Sequence, residues 1–184
     1  MNEDYGGSPL ESLGSFDGLR IAILGIGNDI NGDDASGVLI ARSLMSVPGE
    51  AVNGETPAYQ LIERVGNPPY LVVDGGPSPE SFTGPLRRFA PDLVIMLDAA
   101  EIGAPPGTER VFDWQEASGL SASTHTMPPS MLAKYLISEL NCKVALIGVQ
   151  SARLDLDSPL SPQVQEAVIR VSNWLSNSFN ANAS

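Results

Sequence analysis

Ile21 to Asp34, reading IAILGIGNDINGDD, is the stretch that decides how the rest of this chain folds. Four apolar residues, Ile21 to Leu24, run into Gly25 and Gly27, and the acids Asp29, Asp33 and Asp34 follow before a helical periodicity begins. A short apolar run bounded by glycines fits a strand covered on both faces, as in a parallel sheet. The glycines let the backbone turn where a side chain would obstruct it. Two phosphate-binding readings of the loop fail. A dinucleotide fingerprint needs glycine where Ile30 stands, and a Walker-type loop, whose spacing Gly27 and Gly32 supply, needs Lys and a hydroxyl where Asp33 and Asp34 stand. Carboxylates there repel phosphate. At a helix start they sit well beside the positive end of the dipole, and they are hard oxygen ligands for a cation. Taken alone, Asp33 also reads as a helix N-cap and Asp34 as a first-turn charge.

The same pattern recurs along the chain. Tyr70 to Val73 is an apolar run ending in Asp74-Gly75-Gly76, Leu93 to Leu97 ends in Asp98, and Val144 to Val149 reads as a last buried strand. Helical periodicity spans Asp33 to Ser46, with Val38, Ala41 and Met45 on one face and Leu44 alongside, and Pro48-Gly49 closes it. A second stripe, Leu132, Leu136 and Leu140, follows Pro128-Pro129, and a third, Val164, Val168, Val171 and Leu175, lies within Pro159 to Ser178. Thr56 as N-cap with Pro57 at the first helical position predicts a short helix to Val65. Gly84-Pro85 is expected to interrupt a helix over Ser78 to Phe89. Arg110 to Phe112 reads as a short antiparallel or edge strand.

Strands alternating with helices predict an α/β fold: a single domain whose twisted, mostly parallel sheet is sandwiched between helices. In such sheets the ligand lies beyond the carboxyl ends of the strands, where the strand order reverses. Asp34 follows the first strand, Asp98 ends a later one, and His125, the only histidine, sits among hydroxyl residues before the helix that leads into the last strand. Asp98 could equally cap a turn and His125 could be a solvated loop residue. Their placement at one edge of the sheet favours a shared site.

Composition excludes several function classes. With 184 residues the chain fits one domain. Lys plus Arg total 10 against 22 for Asp plus Glu, a formal charge of −12, so the long-range field repels nucleic acid. No apolar run approaches the roughly 20 residues of a membrane span, and the N-terminus lacks the basic start and apolar stretch of a signal peptide, so a cytoplasmic protein is expected. Residues 1–18, rich in Gly, Ser and acids, are expected to form a flexible arm, with the folded domain over 19–184. The lone Cys142 reads as a small buried hydrophobe.

The catalytic signatures of other hydrolases are missing. The sequence has no G-x-S-x-G elbow, no H-E-x-x-H helix and no C-x-x-C pair, and Ser123 and Ser130 beside His125 do not make a triad. Two carboxylates and an imidazole instead suit a divalent transition metal that keeps open positions for water or substrate. A nucleotide-binding regulatory domain would place phosphate on Gly25 to Gly32, which the acidic loop opposes.

The segments GIGNDINGDD, VVDGG, LDAAEIGAPPG, STHTMPPSML and ALIGVQ, in this order and spacing, closely resemble the maturation endopeptidases of [NiFe]-hydrogenases, most of all the type that processes the large subunit of hydrogenase 3. The resemblance runs from Leu19 to about Trp174. It implies a twisted sheet between helical layers and a nickel-dependent endopeptidase that removes a C-terminal peptide from the large-subunit precursor after nickel insertion. The nickel is recognised in the precursor substrate, though other divalent metals could occupy the site. The metal ligands implied are Asp34, Asp98 and His125. Asp34, Asp98 and Asp74 are the implied catalytic acids, Asp74 through a glycine motif linked to specificity or catalysis. A monomer with the precursor as its partner is expected. A nickel-binding accessory protein without peptidase activity would need the same three ligands, and a two-carboxylate acid protease would need no imidazole. The chain departs from the pattern at Ala35, where many relatives have glycine, and in a longer insertion from Glu50 to Asn67; both bear on substrate preference.

Overall fold

The computed structural model describes residues 9–45, 57–64, 67–113, 115 and 127–180. The apolar runs become the strands of one six-stranded sheet, in the order β2-β3-β1-β4-β6-β5. These are β1 (Ile21–Gly25), β2 (Tyr59–Arg64), β3 (Asn67–Asp74), β4 (Leu93–Ala100), β5 (Glu109–Asp113) and β6 (Lys143–Gln150). β3, β1, β4 and β6 are parallel, with Ala22 opposite Leu71 and Val94, and Leu93 opposite Lys143. β2 and β5 close the two edges antiparallel.

Side chains alternate faces along each strand. Ile21 and Ile23 of β1 join Leu93, Ile95 and Leu97 of β4 in one core, covered by α1 (Ser36–Met45) and α4 (Pro162–Asn180). Ala22 and Leu24 join Val94 and Met96 in the other, covered by α2 (Thr83–Phe89) and α3 (Pro129–Leu140). Burial on both faces explains why the central strands read as continuous apolar runs. Val164, Val171 and Leu175 of α4 are fully buried, as the stripe predicts, and Val168 packs at its border.

Three expectations are corrected. The helix expected from Thr56 to Val65 is instead the edge strand β2, paired with β3 from Tyr59 opposite Val73 to Arg64 opposite Asn67; Thr56 and Val65 themselves lie outside the described residues. Pairing with an available strand overrides the modest helical preference of Gln60, Leu61 and Glu63. Gly84-Pro85 does not interrupt a helix: a 3-10 turn over Pro79–Phe82 leads into α2, and Pro85 falls in its first turn, where a missing N–H costs nothing. The loosely held arm expected up to Gly18 is corrected from Pro9 onward. Leu10 and Phe16 are buried, and the Phe16 ring packs 5.9 Å from Trp174 and 5.3 Å from Phe179. Residues 1–8 lie outside the described residues.

No described helix is long and apolar enough to cross a membrane. Cys142 is buried, with its Sγ 3.7 Å from the Leu136 carbonyl oxygen, and burial pushes the thiol up from its ordinary pKa.

The topology fixes where a ligand can lie. From β1 the chain moves to β3 on one side, then crosses back over β1 to β4 on the other. The strand order therefore reverses between β1 and β4, and the crevice of this sheet opens at their carboxyl ends.

Candidate active site

Gly25 ends β1, and the turn after it is built by close backbone approach. Ile26 N–H donates to Leu97 O at 2.8 Å, extending the β1–β4 contact by one residue, while Gly75 N–H donates to Gly25 O at 2.8 Å and Gly27 N–H to Gly76 O at 3.1 Å. Gly27 has φ +132°, and a Cβ there would run into the Asp34 carbonyl. Gly37, at the start of α1, lies against the carbonyls of Leu97 and Ile26 so closely that a Cβ would collide with both. The start of α1 is thus pressed onto the ends of β1 and β4. Asp34 sits in the 3-10 turn Gly32–Ala35 that leads into this helix.

Asp34 is buried, and its Oδ2 accepts the Asn28 N–H at 3.0 Å. Burial raises its carboxyl above the ordinary aspartate range, and the bonds from the Asn28 N–H and the Asn31 side chain hold back part of that rise. Asp98 is buried on β4, opposite Gly148 of β6. Desolvation and then the nearby charge of Asp34 push it up to about 8, against a smaller lowering by the Ala99 N–H. Asp98 therefore lies near enough to Asp34 to feel its charge. The strand runs two residues beyond Asp98, to Ala100, so Asp98 lies within the sheet edge rather than at its last position.

Asp74 ends β3 at the same edge of the sheet, and both of its oxygens are engaged. Oδ2 accepts Arg42 Nε at 2.6 Å and Oδ1 accepts the Gly76 N–H at 3.2 Å. Arg42 Nη1 also reaches Asp29 at 2.9 Å, so one guanidinium on α1 ties the β1 loop to the end of β3. Arg42 escapes a sequence reading because nothing in the spacing of a helical arginine announces which carboxylates it will meet.

Asp33 does something other than cap its own helix. It is fully buried, and its carboxylate accepts the N–H groups of Ala152 at 2.8 Å, Arg153 at 3.1 Å and Ser161 at 2.7 Å, plus the Ser161 hydroxyl at 3.0 Å. It anchors the loop between β6 and α4. No side chain caps the 3-10 turn at Asn31.

His125 lies outside the described residues, and among those described no three His, Cys, Asp or Glu side chains form a metal-binding group. The donors in place are the two buried carboxylates, hard oxygen ligands of a kind that divalent cations take. Chemically, such a cleft can bind a cation with release of a proton, or share a proton between two acids.

The class is a doubly covered α/β sheet with buried acids at its reversal point, and comparison with known proteins places it in a family. The family model described as HycI, hydrogenase maturation protease, matches residues 58–177. The hydrogenase 3 maturation protease of Escherichia coli K12 is 27% identical over 147 residues, covering 79% of this chain and 82% of its own. The crystal structure of a [NiFe] hydrogenase maturation protease HycI from Thermococcus kodakarensis superposes with a TM-score of 0.72 at 31% identity, covering 94% of this chain and 99% of that one. The E. coli hydrogenase maturating endopeptidase HybD shares the fold, with a TM-score of 0.61 at 23% identity over 85% of this chain and 89% of its own. The chain belongs to the hydrogenase maturation protease family.

Proposed function

We propose that this chain removes the C-terminal peptide from a [NiFe]-hydrogenase large-subunit precursor into which nickel has been inserted. The observation that carries the proposal is that Asp34 and Asp98 are both buried near each other at the carboxyl ends of β1 and β4, with Asp98 raised to about 8. At neutral pH that pair holds a proton which a divalent cation can displace, so metal and proton compete for the cleft. In this reading the precursor brings its nickel to the cleft, Asp34 and Asp98 supply oxygen donors, and His125 supplies a neutral nitrogen donor. A nearby peptide carbonyl is then polarised, and water attacks it, activated by the metal or by a cleft carboxylate.

Asp74 acts differently from the other two acids. With Oδ2 bound by Arg42 and Oδ1 by the Gly76 N–H, Asp74 holds the glycine turn beside the other two acids. The protein acts as a monomer in the cytoplasm.

The nearness of these two buried acids also supports a second reading, an acid protease in which they share a proton and that needs no nickel. Incubation with the nickel-loaded precursor, followed by intact-mass measurement, tests the proposal: loss of one C-terminal peptide is expected, and Asp34→Asn and His125→Ala should abolish it. An accessory role without peptidase activity predicts an unchanged mass.

A further inference from the structure

We infer that Ile30, Leu154 and Leu156 form a docking face beside the cleft for the precursor protein, at a surface of the precursor where apolar side chains are accompanied by Lys or Arg. This inference rests on the proposed function for the identity of the partner. The three side chains are 51%, 39% and 66% exposed, and they lie on two loops joined to each other. Asp157 N–H donates to Ile30 O at 2.7 Å, and Asn31 bridges to Ser158.

The loops are held in place rather than left to fold over their own apolar groups. Asp33 fixes the backbone of Ala152, Arg153 and Ser161, Asp33 N–H donates to Arg153 O at 3.1 Å, and the Ser158 hydroxyl donates to Asp155 O at 2.6 Å. Asp157 takes a positive φ of 57° to complete the turn. Because Asp33 directly precedes Asp34, the apolar face is registered to the cleft through one buried side chain. An exposed apolar group held rigidly beside a reactive site is preorganised for contact, since little ordering is left to be done on binding.

Charge selects the occupant. Asp155 and Asp157 interleave the leucines, Arg153 turns its Nη2 to the Pro159 carbonyl at 3.0 Å, and the whole chain carries −12. A second copy of this chain would bring the same acids to the same face, and an anionic membrane would be repelled likewise. A surface bearing apolar and basic groups is attracted on both counts.

The test measures binding of the nickel-loaded precursor to the full chain by titration, in parallel with its cleavage. Leu154→Ser with Leu156→Ser should weaken binding at least tenfold without lowering the unfolding temperature, while Ile169→Ser, an exposed apolar group on the outer side of α4, should leave it unchanged. Asp155→Asn with Asp157→Asn should weaken binding and flatten its salt dependence. Unchanged affinity in the leucine variant overturns the inference, as does a parent chain that dimerises through this face and a leucine variant that is monomeric yet binds precursor normally. A parent chain that neither binds nor cuts the precursor overturns both readings. Binding without cleavage, lost in the leucine variant, supports the docking face and removes only the peptidase reading.

Discussion

Asp98 is a carboxyl group with a neutral form that the fold prefers. Its pKa rises from an ordinary 3.8 to about 8 on folding, so at pH 7 the unfolded chain releases a proton that the folded chain keeps. For this group stability is fully present below about pH 4 and declines as pH rises towards 8. Asp98→Asn removes the penalty. Denaturant unfolding should therefore show a gain at pH 7, since the penalty grows with pH above the ordinary aspartate value, and the gain should fall away as pH is lowered through about 4. A variant no more stable than the parent at pH 7 would mean that Asp98 is not held neutral. The sequence announces Asp98 and Asp74 as acids ending apolar runs and Asp34 as an acid beyond the first strand's loop, because apolar runs make strands visible. It does not announce their states: which acid is buried beside another, and which meets Arg42, depends on side chains that only the folded chain brings near.

At the scale of elements, the legible parts are those whose periodicity is long or whose burial is two-sided. β1, β3, β4 and β6 appear as apolar runs, and α4 as a stripe, because the core dictates each position. β2 escapes because Tyr59 and Leu61 face outward at 45% and 50% exposure, so its pattern is not that of a buried strand. The N-terminal segment escapes because its contribution rests on two residues in a polar stretch. Phe16→Ala should cost about 3–5 kcal/mol in denaturant unfolding, as expected for truncating a buried aromatic, whereas a loosely held arm would give no change. Asp33 belongs to this scale too, since its carboxylate joins the first loop to the last. Asp33→Ala removes several charge-assisted bonds worth about 1.5–3 kcal/mol each, so a loss of roughly 3 kcal/mol or more is expected. Hydrogen exchange at Ala152, Arg153 and Ser161 should accelerate with it; unchanged protection there would show that the loop is held by something else.

For the whole molecule, the consequential feature is the reversal of strand order between β1 and β4. The prediction of a reversal follows from the alternation of strands and helices, but its place does not, because strand order depends on which neighbours win the pairing. The reversal falls between the strand that leads to Asp34 and the strand that carries Asp98. Two buried carboxylates lie at that reversal, and the proposed activity uses them to read the metal state of a partner protein. The intact mass of the large-subunit precursor, followed with this chain in nickel-loaded and nickel-free samples side by side, measures that claim most directly. The account predicts loss of the C-terminal peptide from the nickel-loaded precursor alone; equal cleavage of the nickel-free precursor would contradict it and leave the two acids as a proton-sharing protease pair.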